Sequence, residues 1–352
     1  MPLYLYVADT SNHRIVIRLA SDLSYVTEVG NGQGAGEDQF NSPMRIAFDG
    51  EFVYISDTGN HRIVKRRASD MSFVAQVGGY GSGNDQFNGP SGLTISGPYL
   101  FVMDTYNYRI VKRLASDLSY VSQIGSPGGG QDQFNLARGI ASNSEYLYVL
   151  DSWNNHLEKR LVSDLSWVAQ LGGTYGSGGH DTINYENPQG LSLSAPHLYI
   201  ADSGNGRIVK RLASDFSYVS EVGGHGQYDW GPGDNQFNNL FDCACDGTHL
   251  YIADTGNHRV VKRLASDLSF VSKIGGLGSG NDQFDNPMGV ALFSPAAPPV
   301  ANPMPELART VSVRSYWKRF MSRNPNYKGR LMEIYEGQVG MAEGEFTRTW
   351  VG

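Results

Sequence analysis

Cysteine is nearly absent, with Cys243 and Cys245 the only two in 352 residues. Two cysteines cannot make a disulfide scaffold. No run of 18 apolar residues occurs, so no membrane span is expected. Met1-Pro2-Leu3-Tyr4 lacks a basic n-region and an apolar h-region, so no Sec-type signal is expected. Charged residues are scarce at 18%, against about a quarter in an ordinary globular chain. The net charge of −7 and an apolar fraction of 40% argue against disorder. What is present in excess is Gly (43 residues), with 20 Tyr and 15 Phe. Gly is costly inside helices, so this mixture points to short strands joined by tight turns.

Internal repetition dominates the chain. Asp-Ser/Thr-x-Asn occurs six times, beginning at Asp9, Asp57, Asp104, Asp151, Asp202 and Asp254, in steps of 47 to 52 residues. Ser-Asp-x-Ser plus an aromatic and Val also occurs six times, from Ser21, Ser69, Ser116, Ser163, Ser214 and Ser266. Asp/Asn-Gln-Phe begins at Asp38, Asp85, Asp132, Asn235 and Asp282; its sixth copy has become Thr182-Ile183-Asn184-Tyr185. Each unit reads as four short strands. In the third unit they are strand a at 92–95, b at 99–103, c at 109–114 and d at 120–124, rich in β-branched and aromatic residues. Four strands in about 47 residues is the size of a propeller blade.

The chain begins in strand b, at Leu3, and after Phe284 supplies a surplus strand a, Met288 to Leu292. That strand is expected to complete the first blade and close a six-bladed ring, leaving no open sheet edge along the repeat. The predicted fold class is all-β, a six-bladed β-propeller over residues 1–293, followed by a Pro/Ala-rich linker at 294–305 and a small α/β extension at 306–352.

Asn12-His13-Arg14, Asn60-His61-Arg62 and Asn257-His258-Arg259 follow the strand-b Asp, and Pro287-Met288-Gly289-Val290-Ala291 opens strand a. In these features residues 3–293 resemble the NHL-repeat family. The resemblance implies a propeller. It names no single function, because the family includes RNA binders, sensor domains and a zinc lyase.

A motif copied six times around a ring is read as structural. Asp and Asn suit the b–c turn, and the following Arg reaches the Asp. The Lys-Arg pair of strand c (Lys65-Arg66, Lys112-Arg113, Lys210-Arg211, Lys262-Arg263) is expected to pack its stems between blades and keep its charges at the rim. Residues 1–295 carry a net charge of −10 and the remainder +3. Nucleic acid is therefore not an expected partner.

Function is sought where the repeat breaks. On the face shared by b–c turns and d–a loops, Tyr106 and Trp153 stand where other blades have Ser or Gly, and Tyr108 replaces the motif His. The two long loops add Tyr175, Tyr185, Tyr228 and Trp230. An aromatic ligand-binding patch is expected there, for a protein partner or a carbohydrate. At the axis, the Gly slot of strand a becomes Arg45 and Asp242, with Arg138 and Gln189 one position earlier in their blades. These four are expected to form a channel polar cluster, with an Arg45–Asp242 ion pair or a bound anion or small polar ligand.

His13, His61 and His258 lie on different blades, and Cys-x-Cys stands alone, so no metal site is expected. The two thiols are expected to face the core. No cofactor is expected; backbone carbonyls and a single Asp could contribute ligands to a Ca²⁺ in the channel. No P-loop, HExxH or Ser–His–Asp set occurs. Residues 306–352 carry Val313, Tyr316, Trp317, Phe320 and Met321 at helical spacing and two strand-like runs. Forty-seven residues make a small core, so this piece is expected to dock or self-assemble. Its run from Gly329 to Gly337 resembles short β modules of phage tail proteins. The expected function is a non-enzymatic binding or structural propeller, anchored by its C-terminal segment in a larger assembly such as a virion, tail or surface appendage. The alternative is a metal-assisted lyase or lactonase-like hydrolase at the channel.

Overall fold

Alternating β-branched and aromatic residues build strands whose two faces both become buried in strands b and c and alternate between half-buried and exposed in the outer strand d, and tight Asp- and Gly-containing turns reverse the chain between them. The computed structural model describes residues 2–173, 183–224 and 231–295. These form six four-stranded antiparallel sheets, each ordered a-b-c-d. The third blade has strands Pro90–Ser96, Tyr99–Asp104, Arg109–Leu114 and Tyr120–Ile124, so strand a starts two residues before the expected Gly92. Each strand a packs against the strands a of its two neighbours, closing an inner ring. Closure is made by Pro287–Phe293, which pairs with Tyr4–Asp9 in the register Tyr4↔Phe293 to Ala8↔Gly289. The apolar cores lie between blades: Tyr6 and Ile17 of blade 1 share one cluster with Val53 and Ile55 of blade 2. No helix among the described residues is long and apolar enough to cross a membrane. The linker from residue 296 onwards and the 306–352 segment, including the run compared with phage tail modules, lie outside the described residues.

The six-fold polar motif is internal scaffolding. In blade 3, Asp104 Oδ1 accepts the Asn88 amide at 2.7 Å, and Oδ2 accepts Asn107 Nδ2 and Arg109 Nε, both at 2.8 Å. The same arginine donates to the carbonyls of Ser82, Gly83 and Gln86 in the preceding loop. One carboxylate thus ties together strand b, strand c and the loop that enters strand a. The motif His is also structural: His61 Nδ1 accepts the Gly89 amide at 3.0 Å, and His258 Nδ1 accepts that of Asn286 at 3.1 Å. The c–d turn is an Asx turn, with Ser119 N donating to Asp117 Oδ1 at 2.9 Å. Its central Leu118 takes φ +64, a cost offset by burying the side chain.

The strand-c cations depart from expectation. Their charges are inside, not at the rim. Arg66 and Arg113 are fully buried, each pairing with the Asp of the Asp-Gln-Phe motif, Asp38 and Asp85 respectively. Lys112 Nζ donates to Val162 O and Ser163 O of the next blade at 2.9 and 2.7 Å. The physical reason is that the c–d turns offer carbonyls which no strand satisfies, and five of them are met by a lysine of the neighbouring blade, Ile17 standing at that position in blade 1. These charges therefore bind blades to one another and are withdrawn from the surface.

Candidate functional site

The b–c turns and d–a loops share one face, because each turn Asn donates to a loop carbonyl: Asn60 to Gly34 O, Asn107 to Gly81 O and Asn154 to Gly128 O, all within 2.8 Å. On this face Tyr106 is 48% and Trp153 55% exposed. Both stand in the turn after strand b, anchored by amide donation to Asn88 O and Asn135 O, each at 3.1 Å. The Tyr106 ring lies on Gly89, where a Cβ would come within 2.4 Å of the ring and where φ is +62. Tyr80, in the d–a loop between blades 2 and 3, is 71% exposed and packs edge-on against His61. Sequence reasoning missed it; its flanking glycines, Gly79 and Gly81, were the available signal.

Two aromatics of the expected patch are placed otherwise. Tyr185 is fully buried. It occupies the core position that Phe40, Phe87, Phe134, Phe237 and Phe284 fill in the other copies, and its hydroxyl accepts from Arg211 Nε at 2.6 Å. The preceding Asp of the motif is Ile183 in this copy, so the phenol supplies the oxygen that the arginine needs. Tyr108 is half-buried in the left-handed cap position, with its ring against the core of blades 3 and 4. Tyr175, Tyr228 and Trp230 lie outside the described residues.

The axial cluster is brought together. Strands a approach so closely that a Cβ on Gly289 would lie 2.1 Å from Met44 O. Where the slot is not Gly, the side chain turns into the axis. Arg45 pairs with Asp242 at 2.9 Å and donates to the carbonyls of Met288, Gln189 and Phe241 at 2.7 to 2.8 Å, so it reaches blades 1, 5 and 6 from blade 2. Arg138 donates to Gln189 Oε1 at 2.9 Å, and Arg45 lies over the Phe241 ring. Burial pushes the Asp242 carboxyl up to about 6, with the Arg45 charge acting against it. The carbonyls and carboxylate that a Ca²⁺ would use at this end are held by a guanidinium. Cys243 is buried, its thiol pushed up by burial, while Cys245 is only half-buried.

Blade 4 carries a grouping that the sequence reading overlooked. The corner arginine is His156, and the Val two residues on is Glu158. Asp151 pairs directly with His156 across the b–c hairpin. His156 Nε2 lies 2.8 Å from Glu158 Oε1 and 3.8 Å from Asp151 Oδ2. All three side chains are buried, and burial pushes Asp151 up to about 6. A cavity of about 250 Å³ lined by Gly128, Gly129, Asn135, Asn154, His156 and Gly173 opens beside them. The signal was there to read: strand residues two apart share a face, and this is the blade where both positions change.

Comparison with known proteins agrees with the architecture. An LVIVD-repeat model matches residues 3–33, about one blade. No curated protein matches. Among solved structures, a chain from the crystal structure of a nidogen/laminin complex superposes with a TM-score of 0.60 at 16% identity, covering 84% of this chain and all of that one. At that identity the likeness speaks of fold. Repeat period, ring closure and structural likeness converge: this chain is a six-bladed β-propeller built from one repeat used six times.

Proposed function

We propose that this protein is a non-enzymatic binding propeller that presents the face of b–c turns and d–a loops, centred on blades 3 and 4, to a protein partner. The observation that carries the reading is the contrast on that face between spent polar groups and unspent aromatics. The Asp, Asn and Arg side chains of the repeat are consumed inside the scaffold, while Tyr80, Tyr106 and Trp153 stand exposed on neighbouring blades. Exposed Tyr and Trp supply contact area at low entropic cost and dominate protein interfaces. A solved structure with a similar fold comes from a nidogen/laminin complex, which supports a protein partner. The axis supports the non-enzymatic reading, because Arg45, Asp242 and Arg138 are each held by neighbouring groups.

The segment 306–352, with its charge opposite to the ring, is proposed to anchor the propeller in a larger assembly. Affinity capture with immobilised wild-type chain and with the Tyr106→Ser/Trp153→Ser variant tests the face. Loss of the captured partner with an unchanged melting temperature is the expected result. Equal capture by both would remove these residues from the binding surface.

A further inference from the structure

At the b–c corner, blades 3 and 4 differ in charge-bearing residues at two positions, Arg109/His156 and Val111/Glu158, and the difference has an electrostatic consequence. In blade 3 the corner holds Asp104 with Arg109, and Arg113 with Asp85, a net charge of zero. In blade 4 the same positions hold Asp151, His156, Arg160 and Asp132, and Glu158 is added. Asp85 and Asp132 are largely in solvent, so the buried groups sum to +1 in blade 3 and, with a neutral imidazole, to −1 in blade 4. The flanking Lys112 and Lys159, and Gln123 and Gln170, are the same in both blades and cancel. Uncompensated charge in a buried site is expensive unless paired or coordinated to metal. A cation held by Asp151, His156 and Glu158 would replace the positive charge that this corner loses with the arginine.

We infer that Asp151, His156 and Glu158 form a binding site for a divalent transition metal of the Zn²⁺ type. The ligand atoms, one from each residue, lie within 4.8 Å of one another. Zn–N and Zn–O distances of about 2.0 to 2.2 Å fit inside such a triangle after small side-chain adjustments. Imidazole with carboxylate oxygens is a donor set that Zn²⁺ and its neighbours accept. The outer shell is built as well. Asp151 Oδ1 accepts the Asn135 amide at 3.0 Å, and Oδ2 accepts Asn154 Nδ2 at 2.8 Å. Glu158 Oε2 accepts Arg160 Nε at 2.8 Å, which leaves Oε1 turned to the histidine. Such second-shell bonds fix ligand orientation.

A cavity opens beside the histidine. In blade 3 the Arg109 guanidinium fills the equivalent space and donates to Ser82, Gly83 and Gln86 carbonyls. In blade 4 the shorter His156 vacates it, and the cavity lies where the guanidinium would be, bordered by Gly128 and Gly129. His156, nearly fully buried, lines that cavity with Nδ1 turned towards Gly173. Of the three residues the imidazole is the one that borders the cavity.

The test restores the repeat. Full-length protein stripped with chelator is titrated with Zn²⁺, and with Co²⁺ for its visible absorption, alongside the double variant His156→Arg/Glu158→Val, which carries the blade 3 residues. Wild type is expected to bind one Zn²⁺ at least tenfold more tightly than the double variant. Its melting temperature is expected to rise with Zn²⁺ while that of the variant stays fixed. A second variant, Glu158→Gln, preserves side-chain size and is expected to weaken binding at least tenfold. Equal Zn²⁺ affinity in wild type and both variants, or wild-type stability that responds to pH and not to Zn²⁺, would overturn the assignment.

Discussion

Blades 3 and 4 follow one plan and end in opposite electrostatic states. Asp104 and Asp151 accept the same two groups, an entering-loop amide and a turn asparagine. The blade 3 aspartate then meets a permanent cation, whereas the blade 4 aspartate meets a histidine and a second carboxylate. A ring with six copies of a corner can hold its shape on five, which frees one copy for other chemistry. Departures from a repeat are thus better guides to function than its repeated residues.

The largest expected effect comes from removing the two aspartates in turn. Asp104→Ala leaves Arg109 buried without its counter-charge, at a cost of about 3–5 kcal/mol. Asp151→Ala leaves a histidine that can be neutral, so about 1–2 kcal/mol is expected. Urea denaturation of the two variants measures the gap, and equal losses would erase the proposed difference between the corners.

A second contrast sets the Gly-slotted blades against those carrying Arg45 and Asp242, and it is read by pH. Burial raises Asp242 to about 6, above the unfolded value near 3.9. The folded state therefore binds this proton more tightly. The contribution is fully present below pH ~3.9 and is lost as pH rises through about 6. Asp242→Asn is expected to flatten the stability profile between pH 4 and 6 by about 1–3 kcal/mol. A slope identical to wild type would show that the carboxyl titrates at its ordinary value.

The smallest effect is expected at the face. Tyr106→Ser and Trp153→Ser are expected to change unfolding free energy by no more than about 0.5 kcal/mol, since both residues are about half in solvent and outside the buried cores. A loss several times larger in denaturant melts would mean that these rings hold the blades together.

Much of the fold was legible because a propeller blade is a local object. Strands a to d follow one another in sequence, so a period of 47 to 52 residues and its turn motifs fix the blade count. The surplus strand near Val290 fixed the closure. Tyr185 was misread because loop length drew attention away from alignment: counted from the motif, it sits at the Phe position of its copy. The strand-c charges were misplaced at the rim for another reason. Whether a lysine reaches water or a carbonyl depends on the neighbouring blade, about 50 residues away in the chain.

By itself the sequence determined the number of blades, their strand order and the seam at which the ring closes, since these follow from local pairing and repetition. Only the tertiary structure decided which charges are buried, that Arg45 spans the axis to blades 1, 5 and 6, and that Asp151, His156 and Glu158 share one buried corner beside a cavity. Burial and net charge at a point depend on every chain segment that arrives there. They come into being only when the blades pack.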